Sequence, residues 1–180
     1  MEPGPLSCYY PTAMNLLRPL DRDVKVNGLR LHVLDWGGGD RTPLVLLHGF
    51  TGNAHAWDTL SIALQPHFHV YAMDQRGHGD SDPADVYNPA VSFDDISGVV
   101  DQLGVPPFVL VGLSMGGRNA IYFTSKRPDR VQKLVIVDIG PEISKRAAQA
   151  PAGPPQPDTW EGIEQAAPHL YRGNPYPGIH

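Results

Sequence analysis

Phe108-Val109-Leu110-Val111-Gly112-Leu113-Ser114-Met115-Gly116-Gly117 is a short apolar run that breaks into a G-x-S-x-G turn. An apolar run of this length, bounded by Pro106-Pro107 on one side and glycine on the other, reads as a strand buried on both faces. The segment from Met115 to about Lys126 reads as a helix that Pro128 ends. A strand that passes through a tight turn into a helix forces the turn residue into a strained conformation and lifts its side chain clear of the backbone. The flanking glycines fit because a Cβ at either position would collide with the neighbouring strand or the entering helix. The serine at the apex is therefore a candidate nucleophile, and the strand–turn–helix context makes the five-residue pattern specific.

Outward from this turn the chain alternates strand and helix. Val24–Val26 and Leu29–Asp35 flank Asn27-Gly28, a hairpin signal. Leu44–Leu47 and His67–Met73 read as strands. Between them Asn53 caps a helix that presents Trp57, Leu60 and Leu64 and stops at Pro66. After the polar loop 74–88, Ser92-Phe93-Asp94-Asp95 reads as a capping box, and the helix behind it repeats Phe93, Ile96, Val100 and Leu103 before Gly104. Val131–Val137 reads as a further buried strand. Alternation of this kind predicts an α/β fold, a mostly parallel, doubly wound sheet with helices on both faces and an N-terminal β-hairpin. Ligands of open sheets bind beyond the carboxyl ends of the strands, and His48, Asp74, Ser114 and Asp138 all fall at such ends.

The composition excludes several classes. The 180 residues are 41% hydrophobic and 18% charged, as expected of one soluble globular domain, and the net charge of −5 offers no basic field for nucleic acid. No apolar run approaches the ~20 residues of a membrane-spanning helix. The single cysteine, Cys8, forms no internal disulfide and fits a reducing, cytoplasmic setting. His67 and His69 alternate on one strand but lack a third ligand at metal-site spacing, so no metal is expected. Without G-x-G-x-x-G or P-loop signals no nucleotide cofactor is expected either. Residues 1–15 read as a disordered extension, with Met14 as the natural start, and residues 142–180, rich in proline, as part of a cap over the rim.

Three motifs in order give the chain its resemblance. His48-Gly49-Phe50 follows the third strand, Asp74-Gln75-Arg76-Gly77-His78-Gly79-Asp80-Ser81 the fourth, and Gly112-Leu113-Ser114-Met115-Gly116-Gly117 the fifth. With Val137-Asp138-Ile139-Gly140-Pro141 after the sixth, the chain resembles the α/β-hydrolase superfamily, esterase-like and cofactor-independent haloperoxidase-like members above all, from Leu16 to Pro141 (residues 16–141 as the core). The resemblance implies Ser114 as nucleophile and the backbone N–H groups of Phe50 and Met115 as oxyanion hole. His48 and Gly49 would organise that loop, and Asp138 is a candidate acid, although Asp-Ile-Gly-Pro more often packs as a loop element. Arg76 and His78 would hold loops beneath the site. A serine at 114, rather than a carboxylate, argues against epoxide and haloalkane hydrolysis.

The family places its acid and histidine after the seventh and eighth strands. Neither His169 nor His180 follows a strand, so the expectation is a fragment cut within its cap. It would lack the last strands and the general base and be inactive as it stands. The implied reaction is hydrolysis of a small carboxylic ester or related acyl bond through an acyl-enzyme, with a small-molecule acyl substrate. Perhydrolysis, thioester hydrolysis and carbon–carbon bond hydrolysis share the same serine machinery, and a non-catalytic binding module on the same fold is the alternative from another class. Phe50, Met115 and Trp57 would line the pocket, although Trp57, at helical spacing with Leu60, is equally explained as core.

Overall fold

A computed structural model describes residues 18–139, all within the first of the chain's two compact units, Met1–Ile143. The expected extension over 1–15, the cap over 142–180, Met14, His169 and His180 lie outside the described residues.

Six strands are present among the described residues: β1 (Leu20–Val26), β2 (Leu29–Asp35), β3 (Pro43–Leu47), β4 (His69–Met73), β5 (Phe108–Leu113) and β6 (Val131–Val137). They form one sheet in the order β1-β2-β4-β3-β5-β6. The hairpin β1–β2 and the β2–β4 pair are antiparallel, and β3, β4, β5 and β6 pair in parallel. Asn27 and Gly28 both carry positive φ at the hairpin turn, 52° and 81°, as an Asn-Gly turn of the primed type requires. The α/β reading with a mostly parallel sheet and an N-terminal hairpin holds.

Alternation along each strand divides the core into two layers. Val45 and Leu47 of β3 and Phe108 and Leu110 of β5 face one layer, closed by Ile96, Val99 and Val100 of α2 (Pro89–Gln102) and by Ala120 and Phe123 of α3 (Met115–Lys126). Leu44 and Leu46, Val109 and Val111, and Val70 and Ala72 face the other layer. There Trp57 and part of α1 (Asp58–Leu64) cover them. The unbroken apolar runs of β3 and β5 are thus explained by burial on both faces.

Four local expectations are corrected. The fourth strand begins at His69, not His67: the His67 amide instead bonds the Leu64 carbonyl in the turn after α1. So His67 and His69 do not share a strand. The capping box at Ser92–Asp95 does not form. Helix α2 starts one turn earlier, with Pro89 in its first turn and the Asn88 side chain accepting from the amides of Ala90 and Val91 at 2.9 and 3.1 Å. Asparagine as cap followed by a proline pre-set for the helix outweighs a serine further in. Leu60 is exposed, and of the two readings of Trp57, pocket wall or core, the core one holds. Finally, β6 is not buried on both faces. Leu134 and Ile136 pack against the α2–α3 layer, while Val135 and Val137 on the opposite face are 45% and 40% exposed. Helix α1 packs on β4 in the other layer, and among the described residues Val135 and Val137 are left largely uncovered.

Candidate active site

The site grows from the end of β5. Ser114 sits between β5 and α3 at φ 49°, ψ −109°, a conformation that L-residues rarely adopt and that costs on the order of 1–3 kcal/mol. Two bonds hold it: its amide donates to the Val137 carbonyl of β6 at 2.9 Å, and its carbonyl accepts from the Arg118 amide at 3.0 Å. The glycines make the bend possible. A Cβ on Gly112 would lie 2.6 Å from the carbonyl carbon of Gly116 and from the amide nitrogen of Gly117. A Cβ on Gly116 would lie 2.6 Å from the His48 carbonyl oxygen and closer still to that of Leu47, at the end of β3. The turn and the His48 loop are therefore packed backbone to backbone, and the Gly116 amide donates to the His48 carbonyl at 3.1 Å.

His48 is fully buried. Its Nε2 faces the Gln75 amide at 3.1 Å, an N–H that can only donate, so Nε2 is the acceptor and the proton resides on Nδ1. Nδ1 then donates to the Gly49 carbonyl at 2.7 Å. Burial, outweighing that bond, pushes the ring's pKa below its ordinary value. With both nitrogens engaged and the ring out of solvent, His48 is fixed neutral and has no lone pair for a serine proton. Gln75 extends the arrangement: its Nε2 donates to the His48 carbonyl at 2.7 Å, and its Oε1 accepts from Asn119 of α3 at 2.8 Å. Sequence reasoning passed over Gln75 and Asn119, which tie the Phe50 loop to the helix behind the serine.

His78 approaches the same loop from outside. Its Nε2 lies 2.7 Å from the Phe50 carbonyl and its Nδ1 2.9 Å from the Arg76 carbonyl, and its ring meets Phe50 edge-on at 5.9 Å. Arg76 is buried against Asp95 of α2 through two contacts, 2.6 and 2.8 Å, and also donates to the carbonyls of Val86 and Val91. This clamp fixes the segment that carries Tyr87 and the start of α2. Asp95→Ala is expected to cost about 3–5 kcal/mol of unfolding free energy, because it strands a buried guanidinium. Urea denaturation of the variant against the wild type measures it.

The Asp74 carboxylate is buried and accepts from the amides of Ala54 (2.6 Å) and Asp80 (3.0 Å) and from His32 Nδ1 (2.9 Å), so it binds loops together rather than facing a ligand. His32, Asp74 and Asp80 have ligand atoms within 4.8 Å of one another, a grouping the sequence did not suggest. However, His32 is already shared between Asp74 and Asp21, and the Asp74 oxygens are occupied by N–H donors. Asp138 adopts a positive φ of 58° and is exposed. It is not among the residues of the cleft, although its neighbour Ile139 is. Of the four polar residues at strand ends, only Ser114 faces the cleft.

That cleft has a volume of about 320 Å³. Phe50, His78, Tyr87, Ser114, Met115 and Arg118 contribute to its wall. The bonds of the surrounding turns and caps leave the Phe50 and Met115 amides without a backbone acceptor among the described residues.

Comparisons with known proteins identify the family. A sequence profile described as the alpha/beta hydrolase fold matches residues 42–170. The chain belongs to the α/β-hydrolase family. A 2-(acetamidomethylene)succinate hydrolase from Mesorhizobium japonicum is 38% identical over 133 residues, 73% of this chain and 47% of the relative. A mouse (Mus musculus) sn-1-specific diacylglycerol lipase is 38% identical over 127 residues, 66% of this chain and 39% of the relative. The crystal structure of an α/β hydrolase from Novosphingobium aromaticivorans superposes with a TM-score of 0.67 at 33% identity, covering 72% of this chain and 47% of that one. The chain thus spans less than half the length of the curated relatives it matches. No helix of the described residues is long and apolar enough to cross a membrane.

Two histidines of this α/β hydrolase give opposite pH signatures. Burial lowers the folded-state pKa of His48, so below about pH 6.5 the unfolded chain takes up a proton that the folded chain resists, and stability falls as pH falls. Burial alone would also lower His32, but its bonds to Asp74 and Asp21 outweigh that and raise it. The His32 contribution is therefore complete below about pH 6.5 and lost as pH rises through the raised value. The stability lost in His48→Asn is expected to grow with pH from about 5 to 7, and that lost in His32→Asn to shrink above about 6.5. Urea unfolding of both variants against the wild type across this range checks the signs.

Proposed function

We propose that this chain supplies the nucleophile and oxyanion half of a serine hydrolase that cleaves a small carboxylic ester or related acyl bond. The observation that carries this reading is Ser114, held at positive φ between β5 and α3 on the wall of a cleft that also contains Phe50 and Met115. In the proposed reaction Ser114 Oγ attacks the substrate carbonyl carbon and the carbonyl π electrons move to oxygen. The amides of Phe50 and Met115, the latter at the positive end of α3, stabilise that developing charge. Collapse of the tetrahedral species expels the alcohol and leaves an acyl-enzyme, which water hydrolyses. The serine proton passes to a base from outside the described residues, since His48 is fully engaged and both nitrogens of His78 face carbonyls.

The relatives' names include a 2-(acetamidomethylene)succinate hydrolase, a diacylglycerol lipase and epoxide hydrolases. They support hydrolysis, and the choice of an acyl bond rests on the serine at position 114. The test is release of p-nitrophenol from p-nitrophenyl acetate, with acyl-enzyme captured as a mass increase of about 42 Da, the acetyl increment, by acid quench during steady-state turnover, which at the ~1–10³ s⁻¹ of typical enzymes is established well within ~1 min. It is run on the chain and on any longer reading frame that contains it. Turnover with the acetyl group on the Ser114 peptide is the expected result. Failure of every form to release p-nitrophenol or to acylate overturns the reading and favours a non-catalytic binding module.

A further inference from the structure

The cleft has an unbalanced charge. No aspartate or glutamate is among its described lining residues, in a chain whose net charge is −5. Its two arginines differ sharply. The guanidinium of Arg76 is consumed by Asp95 and by the carbonyls of Val86 and Val91. Arg118 is exposed, lines the cleft, and makes no ion pair or side-chain hydrogen bond among the described residues. It lies one helical turn beyond the serine on α3, its amide bonded to the Ser114 carbonyl at 3.0 Å. Residues four apart lie on the same face of a helix, which puts Arg118 and Ser114 together on the cleft wall.

Most of the other polar side chains of the lining are already engaged, the Ser92 hydroxyl being the exception. Asn119 and Gln75 bond each other, the Asn88 side chain caps α2, and the Tyr87 hydroxyl accepts from the Ala84 amide at 2.9 Å. Phe50, Met115 and Ile139 give the wall its apolar part. An arginine presented beside such a wall recognises planar oxyanions through paired N–H donors.

From these observations we infer that Arg118 is the specificity residue of the site and selects acyl substrates that carry a second, anionic carboxylate close to the scissile carbonyl. The inference deepens the serine-hydrolase reading and rests on it. The carboxylate plays no part in bond cleavage: the arginine holds it while Ser114 attacks the acyl carbon, so its contribution is to binding and orientation.

The experiment compares p-nitrophenyl hydrogen succinate with p-nitrophenyl pentanoate, which differ in the terminal carboxylate. The ratio of their kcat/KM values is expected to favour the succinate by about tenfold or more in the wild type, in line with a charge-assisted hydrogen bond. Arg118→Gln should reduce that ratio by a similar factor and Arg118→Lys by less. Raised salt should narrow it. A ratio unchanged in Arg118→Gln overturns the inference while leaving serine hydrolysis intact. A second measurement needs no turnover: NMR titration of monomethyl succinate and methyl pentanoate into Ser114→Ala and into Ser114→Ala/Arg118→Gln. Preferential binding of the succinate that disappears with Arg118 supports the assignment, and equal binding of the two esters contradicts it even if neither is hydrolysed by the wild type.

Discussion

Ser114→Ala is expected to lower kcat/KM for the ester by at least about a thousandfold, the scale on which removal of a serine nucleophile acts. A loss this large marks removal of the attacking atom, because a residue that only shapes the cleft would alter KM or kcat by far less. The companion variant separates chemistry from folding. At φ 49° the serine occupies backbone space in which glycine is unstrained. Ser114→Gly should therefore be as inactive as Ser114→Ala yet more stable than the wild type by about 0.5–2 kcal/mol, the relieved strain less the extra chain entropy of glycine. Urea midpoints of the three proteins, measured beside their rates, decide it. A Ser114→Gly protein less stable than the wild type would show that the turn stores no strain.

Gly116→Ala should be among the most damaging substitutions to stability, at about 3 kcal/mol or more, the upper end of ordinary point changes. The new methyl would meet the carbonyl oxygens of Leu47 and His48. These are backbone atoms at the end of a strand hydrogen-bonded on both sides, to β4 and to β5, so they cannot turn aside as a side chain could. The expected outcome is loss of soluble protein or a steep fall in melting temperature. Gly104→Ala serves as control: no atom lies within 4 Å of its Cβ position, so only its φ of 64° opposes the change. A well-folded Gly116→Ala protein would mean that β3 and α3 can separate, and the backbone-to-backbone account of the turn would fail.

The residues that made the fold legible are those whose role is local. Apolar runs bounded by glycine or proline placed β3, β5 and α3 nearly to the residue, and Asn27-Gly28 placed the hairpin. The errors arose where a distant element decides. Asn88-Pro89 reads as the end of a loop until the helix beyond it is known to begin there. The seven residues of β6 look as buried as those of β5, but burial depends on what lies across the sheet, and among the described residues Val135 and Val137 are left largely uncovered. The serine was legible because its motif is contiguous. The support beneath it was not: Gln75 meets His48 across 27 residues and Asn119 across 44, and no periodicity in the chain announces such a pairing. Arg118 could have been found, since it stands four residues after Ser114 on a helix already foreseen, but the sequence could not show that the wall around it lacks carboxylates.

The central claim is that Ser114 is the attacking atom, and the most direct measurement is peptide mapping after treatment with a fluorophosphonate ester, on this chain and on any longer reading frame that contains it. A phosphonate adduct on the peptide containing Ser114, absent after heat denaturation and in Ser114→Ala, is the predicted result. An adduct on another residue, or undiminished labelling of Ser114→Ala, would contradict the account.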